Sequence, residues 1–266
     1  MIELGREKRQ ALHELCAGSD QVLAWAAVEG GMGRVWVPEL KNPSFCLILL
    51  GDFVYLFGIT PKGQQSMDLR TQLYMECQEA FIFPSDSLWE LWLEENFPGQ
   101  YRQLSRYAMR KDRNNFCDET LKTYASDIPE GIRIKAIDKS LYLQALKEDW
   151  SRDFCSNFES PEEFEKRGLG FVALDGRKLV SGCSAYGASD GSMEIQVETR
   201  KEYRRKGLAL ACSARFILTC MEKGVYPDWD AANLQSVGLA EKLGYIFDRE
   251  YQVYQLHRED ESREMA

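Results

Sequence analysis

The stretch "YRRKGLALAC", residues 203–212, sets Arg204, Arg205 and Lys206 directly before Gly207 and then enters an apolar run of helix-forming composition. "LALACSARFILTCMEK", 208–223, is rich in Ala, Leu and other good formers, contains no proline, and is followed by Gly224 where a C-terminal cap belongs. The pattern predicts one helix with its amino end at Gly207. A helix start leaves backbone N–H groups unpaired and carries partial positive charge, so an anion can sit there. A residue without Cβ lets that anion approach the main chain. The junction is either such an anion site or a basic loop leading into a core helix, and the elements around it decide.

Downstream of residue 130 those elements form a series. "IRIKAID" (132–138) alternates as a strand, "KSLYLQALKEDW" (139–150) is an amphipathic helix, and "SPEEFEKRG" (160–168) is a short helix. Ser160 is its cap, Pro161 its first residue, and Glu163 is placed for a capping box. Three strands follow, "LGFVALDG", "LVSGCSAYGA" and "SMEIQVETR", separated by the hairpin dipeptides Asp175-Gly176 and Asp190-Gly191. After the basic junction and its helix come a strand at 226–231, a helix at 234–243 and a strand-forming run at 245–256.

The first half repeats the later part of this order. Strands are expected at 33–39, 44–50 and 52–59, a helix at 66–79, a strand at 80–84 and a helix at 87–97; 101–112 fits either a helix, with Arg102, Arg106 and Arg110 in an i, i+4 stripe, or a strand alternating with Tyr101, Tyr107 and Met109, and a closing strand is preferred by analogy with 245–256. Trp89 and Trp92, with Leu88 and Leu91, read as the buried stripe of the 87–97 helix. "GGMGR" (30–34) leads into a strand and is a turn. The place equivalent to the basic junction, "ITPKGQQSMDL", has one lysine and a proline. An internal duplication with one active lobe is therefore expected, divided into 1–125 and 126–266, with the polar segment 113–130 as connector.

Composition bounds the partners. The 266 residues are 44% hydrophobic, enough for a large core in one domain or two. A formal charge of −9 and a pI near 5.0 argue against a nucleic-acid binder and attract a cationic small molecule or peptide amine. Eight scattered cysteines without a C-x-x-C pair, and two histidines, suggest neither a metal site nor a disulfide framework, and fit a reducing cytoplasm. His13 and His257 read as surface residues. The opening "MIELGREKRQALHELC" is too charged for a signal peptide, and no apolar run reaches membrane-spanning length, so no membrane partner is expected. The sequence leaves the oligomeric state open.

With that context the second half, roughly 130–256, resembles the GNAT superfamily of N-acetyltransferases. Arg204, Gly207 and Ala209 occupy the defining positions of its Arg/Gln-x-x-Gly-x-Gly/Ala loop, and "NLQSVGLAEKLGY" supplies Asn233, Ser236, Ala240, Glu241, Lys242, Gly244 and Tyr245 in the family's order. The whole chain is also similar to a longer bacterial GNAT group that includes zwittermicin-resistance acetyltransferases, on "NPSFCLILLGDFVYLFG" and "YPDWDAANLQSVGLAEKLGY". The resemblance implies a GNAT fold in the carboxyl-terminal lobe, a mixed, mostly antiparallel α/β sheet flanked by helices, beside a degenerate GNAT-like amino-terminal lobe.

It also implies acetyl-CoA as cosubstrate and direct acetyl transfer to a primary amine of a small molecule or peptide. The main chain of Val197 and Thr199 would hold the pantetheine arm. The amides from Arg205 through Leu208 to Ala209 would hold the diphosphate, with Arg204 and Lys206 adding charge. Asn233 and Ser236 would lie against the donor; Asn233 reads equally as the N-cap of the helix at Leu234, and its amide can serve both. A lysine-like amine with a pKa of about 10.4 must lose a proton before it attacks. Glu194 and Glu198, on one face of the 193–199 strand, are the candidate bases unless they merely face solvent, with Asp228 and Asp230 in reserve. Ala240 stands where many members carry the tyrosine that reprotonates the leaving thiolate, leaving Tyr245, Tyr226, Ser236 or solvent for that task. A catalytically degenerate acyl-CoA-binding sensor or scaffold is the competing reading. An aminoacyl transferase using charged tRNA would need a basic groove, against the net acidity.

Overall fold

The computed structural model describes residues 1–77 and 79–257. The described residues form two compact units, one made of Met1–Arg106 with Tyr251–His257, the other of Tyr107–Glu250.

In the first unit β1 (Ile2–Glu3), α1 (His13–Cys16) and α2 (Val22–Val28) precede an antiparallel meander of β2 (Arg34–Val37), β3 (Phe45–Leu50) and β4 (Phe53–Gly58). The near-continuous apolar runs "FCLILL" and "FVYLFG" are what strands covered on both faces require. Next, α3 (Gly63–Glu76) crosses to β5 (Phe81–Pro84), which lies parallel to β4. Helix α4 (Ser87–Asn96) is capped by the Asp86 carboxylate, which accepts from the N–H groups of Leu88 and Trp89. Trp89 is fully buried, edge-on to Phe45 and Trp92 with centroids 6.1 and 5.7 Å away, and its Nε1 donates to the Gly58 carbonyl at 2.9 Å. Truncating such a side chain to alanine costs about 3–5 kcal/mol. Leu88 and Leu91, expected in the same stripe, are 64% and 51% exposed; the buried line runs through 89, 92 and 93 instead. The expected 66–79 helix starts earlier, at Gly63, and ends at Glu76; Gln78 lies outside the described residues.

Strand β6 (Tyr101–Arg110) confirms the strand reading of 101–112, although it does not close the first unit's series. β5 pairs instead with the end of the chain, Ile82 with Tyr254 and Phe81 with Gln255.

In the second unit the expected connector 113–130 contains α5 (Asp118–Ser126), whose Leu121 and Ala125 are buried in the cluster formed with Ala214, Ile217 and Leu218. The segment is polar because the helix has a single narrow buried edge. There follow β7 (Ile132–Ala136), α6 (Lys139–Ala145), α7 (Asp149–Arg152) and α8 (Pro161–Arg167). The helix expected over 139–150 is thus divided in two. Ser160 Oγ accepts from the Glu163 N–H at 3.1 Å as the capping pattern requires, while the Glu163 carboxylate reaches back to the Glu159 N–H at 2.7 Å. β8 (Gly170–Asp175), β9 (Lys178–Ser189) and β10 (Ser192–Thr199) form a meander on the two expected hairpin turns, and β7 joins it antiparallel to β8. Helix α9 (Leu208–Glu222) buries nine residues, and β11 (Tyr226–Asp228) lies parallel to β10.

The strand expected over 226–231 breaks at Trp229. β11 keeps to β10, while β12 (Asp230–Ala231) pairs antiparallel with Ala108 and Tyr107 of β6. The unit ends with α10 (Leu234–Leu243) and the first part of β13 (Ile246–Leu256). Each unit therefore has the same order, a meander, a crossover helix, a parallel strand and a helix. Each takes its next strand from the other half of the sequence.

Candidate active site

The site is built where β10 and its parallel neighbour separate. Register holds at Ser192 with Tyr226, Met193 with Pro227 and Glu194 with Asp228; beyond that β12 is committed to β6. β10 continues alone on that side through Thr199. The Arg200 N–H bonds to the Val180 carbonyl on β9, so by alternation the main-chain groups of Val197 and Thr199 point the other way, to the open edge. Ile195 and Val197 pack toward the α9 core. Glu194, Gln196 and Glu198 take the opposite face.

At the end of β10 the chain turns into the loop before α9. Arg205 has φ +64° and Gly207 φ +78°, so two left-handed residues bend the backbone directly before the helix. For arginine that conformation is uncommon and costs about 1–2 kcal/mol. The first intrahelical bond is the Ala211 N–H to the Gly207 carbonyl at 3.0 Å, which leaves the amides of Leu208, Ala209 and Leu210 without a partner in the helix. A Cβ on Gly207 would meet only the Asp127 carbonyl oxygen, 3.9 Å away. The arrangement is a concave set of N–H groups at a helix start, suited to an anion of two or more oxygens.

The charged residues of the loop are not equivalent. Arg205 is exposed, and the Lys206 ammonium lies 4.6 Å from the centre of the Tyr203 ring. Arg204 turns back: its Nε donates to the Thr199 carbonyl at 3.1 Å and its Nη2 to Glu198 Oε1 at 3.1 Å. Glu198 Oε1 also accepts the Thr199 N–H at 2.9 Å. Asn233 caps α10, its Oδ1 accepting from the Ser236 N–H at 2.9 Å, and Ser236 Oγ accepts from Trp229 Nε1 at 3.1 Å.

Glu194 and Asp228 are both more than nine-tenths buried and sit side by side in the parallel register. Glu194 Oε1 accepts the Asp230 N–H at 3.2 Å, and Lys111 Nζ lies 2.8 Å from Asp228 Oδ2. Tyr245 is buried, edge-on to Phe116 at 4.9 Å, and its hydroxyl donates to the Pro227 carbonyl at 2.7 Å; burial pushes its pKa well above the ordinary range. Burial, and then the Asp228 charge, push the Tyr226 hydroxyl up to about 12, and that hydroxyl donates to the Arg110 carbonyl at 3.3 Å. Gly244, at φ +107°, is glycine for two reasons: the conformation, and the Asn115 carbonyl 2.7 Å from where a Cβ would stand.

Sequence reasoning missed Lys111 and the contacts made by residues 148–154, although the loop 150–160 was expected to shape the cleft. Phe154 packs against Gly182, the register partner of Glu198, at 2.7 Å from the Cβ position. Arg200 bonds the Glu148 carboxylate, donates from Nε to the Leu179 carbonyl at 2.9 Å and stacks 4.9 Å over the Trp150 ring. These partners are far apart in sequence and carry no local signal. Among the described residues no group of three or more His, Cys, Asp or Glu side chains could hold a metal ion, and no helix is long and apolar enough to cross a membrane.

A family model for GNAT acetyltransferases matches residues 13–254. The chain belongs to the GNAT acetyltransferase family. The expected GNAT fold is the one observed. The Bacillus subtilis (strain 168) protein "Uncharacterized N-acetyltransferase YdfB" is 31% identical over 175 residues, 65% of this chain and 64% of that relative. The match thus spans slightly less than two thirds of that relative. A GCN5-related N-acetyltransferase-like protein from Streptococcus suis 89/1591 has a solved structure that is 37% identical, covers 94% of this GNAT chain and 99% of its own, and superposes with a TM-score of 0.84. A tandem GNAT protein from the clavulanic acid biosynthesis pathway shares the fold at 12% identity, with a TM-score of 0.57 over 95% of this chain and 96% of its own.

Proposed function

We propose that this GNAT protein transfers acetyl from acetyl-CoA directly to a primary amine of a small molecule or peptide in the cytoplasm. The observation that carries the reading is the departure of β10 from its neighbour after Glu194 and Asp228, directly before a left-handed loop that opens α9. The main chain of Val197 faces the pantetheine arm directly, while that of Thr199, on the same edge, is engaged by Glu198 and Arg204 and would bond the arm only by exchanging one of them. The amides from Arg205 to Ala209 face the diphosphate, and the open space at Gly207 lets it approach. Arg204, Arg205 and Lys206 complete the loop, and the Asn233 amide with Ser236 flanks the arm. The fit supports the donor: acetyl-CoA brings a thioester whose thiolate, with a pKa of about 8.5, leaves readily.

The chain must remove the ammonium proton. Glu194 takes that role in this proposal, because it is buried beside Asp228 at the point of separation and on the face lined by 148–158. Glu198 is the alternative base, although its carboxylate is held by Thr199 and Arg204. Tyr245 as the acid would have to give up its bond to Pro227. Turnover across a panel of amines, read by thiol release, tests the assignment. Glu194→Gln should lower kcat roughly 10²-fold or more, Glu198→Gln less than about tenfold, and Tyr245→Phe should leave kcat within about threefold. Similarity to the zwittermicin-resistance group makes amino-bearing antibiotics and metabolites the first acceptors to try. The duplicated halves, 1–125 and 126–266, are read as two GNAT lobes that exchange their last strands, which is why compactness divides the chain elsewhere.

The second reading, an acyl-CoA sensor or scaffold without turnover, draws on Ala240 in place of the usual acid and on the engaged hydroxyl of Tyr245. Donor binding with no thiol release across a broad panel would decide for it.

A further inference from the structure

Arg204 is the residue of the loop whose side chain leaves it. Its neighbours Arg205 and Lys206 stay exposed, the Lys206 ammonium beside the Tyr203 ring, and neither is held by the end of β10. The Arg204 guanidinium instead spans back over the end of β10, with one bond to a main-chain carbonyl and one to a carboxylate. Together with the Glu198 bond to the Thr199 N–H, this closes a ring in which both main-chain groups of Thr199 are held by side chains. On its other side Thr199 is fixed as well, its hydroxyl 2.7 Å from Ser181 Oγ in a buried contact. On the edge away from β9 no strand among the described residues pairs with this part of β10, so the sheet ladder does not perform the same service there.

We infer that Arg204 is a positioning residue: it splints the last peptide of β10 and the Glu198 carboxylate at the edge that receives the donor's arm, and it does not grip the diphosphate. The inference rests on the reading that this edge and the α9 start bind acyl-CoA. The atoms distinguish the two roles. The bond to Thr199 comes from Nε, the fourth atom beyond Cα, and a glutamine places its Nε2–H donor at that same atom while carrying no charge. A lysine keeps the charge, but its donor nitrogen lies one atom beyond the Nε position and the planar fork is lost. A splint therefore tolerates glutamine better than lysine; a phosphate contact tolerates lysine better than glutamine.

The test measures kcat/KM for Arg204→Gln, Arg204→Lys and Arg204→Met with acetyl-CoA and with S-acetylpantetheine, which has no phosphate, at a fixed amine concentration. A splint predicts that Met and Lys lower kcat/KM by the same factor with both donors, about five- to tenfold for one or two lost hydrogen bonds. Gln should restore most of it, and a separate titration of the amine at saturating acetyl-CoA should show an unchanged amine KM. Loss confined to acetyl-CoA and rescued by Lys overturns the inference and leaves the acetyl-CoA reading standing. Three variants indistinguishable from the parent with both donors also overturn it. A parent protein that uses neither donor sinks the functional reading and the inference with it. Melting temperatures of the three variants, expected to agree within a few degrees because Arg204 is exposed, separate any unfolding from these outcomes.

Discussion

Asn233 caps α10 and, in the proposal, also contacts the donor; a single substitution separates the two roles. Its oxygen caps α10 through the Ser236 N–H; its nitrogen is the part turned over to the donor in the proposal. Asn233→Asp keeps the cap acceptor and removes the donor, so stability should hold while the KM for acetyl-CoA rises. Asn233→Ala removes both and should also cost about 1 kcal/mol in chemical denaturation. An aspartate variant with an unchanged KM would leave Asn233 as a cap alone. The cap was legible in the sequence because its partner is three residues away. The fate of Arg204 was not, because its acceptors depend on which way the backbone of β10 alternates and on where the neighbouring strand departs.

Helix α5 and strand β11 show what pattern alone passes over. The 113–130 segment reads as polar because Leu121 and Ala125 are its main inward residues, and only the apolar side of α9 gives them a reason to be helical. Leu121→Ala should cost about 2–5 kcal/mol, measured by denaturant titration; a loss below about 1 kcal/mol would return the segment to the status of a connector. The break at Trp229 was equally hidden, since nothing local in 226–231 singles out position 229 and the run divides because two different partners claim its ends. In β11 the Tyr226 hydroxyl, shifted from the ordinary 10.0 to about 12, makes stability pH-dependent. A tyrosine with a raised folded pKa favours the fold in full below about pH 10, and that contribution is lost as pH rises through about 12. Unfolding midpoints from pH 8 upward should fall over this window, and less steeply in Tyr226→Phe. A flat profile in the parent would contradict the burial of that hydroxyl.

At the scale of the molecule, the hairpin dipeptides, the 208–222 helix and the repeated order of elements were all readable, because each depends on neighbours in sequence. The exchange of last strands was not. A strand such as 101–110 or 246–256 has the same local pattern whichever sheet accepts it, and pairing of Tyr254 with Ile82 or of Ala108 with Asp230 is decided by partners more than a hundred residues away. The exchange has a direct consequence: the piece 126–266 lacks both α5 and the strand that pairs with β12, so it should show no cooperative thermal unfolding alone, whereas the full chain should. A cooperative transition in that piece would mean that the exchanged strand is dispensable. The central claim, that the backbone at the start of α9 holds a diphosphate, is tested most directly by calorimetric titration of CoA into the parent and Gly207→Leu proteins. The left-handed φ of +78° means that leucine brings about 1–2 kcal/mol of strain as well as bulk over the amides. The account predicts CoA binding by the parent and a loss of more than about tenfold in the variant, with the fold retained in circular dichroism. Equal CoA affinity in the two proteins would contradict it.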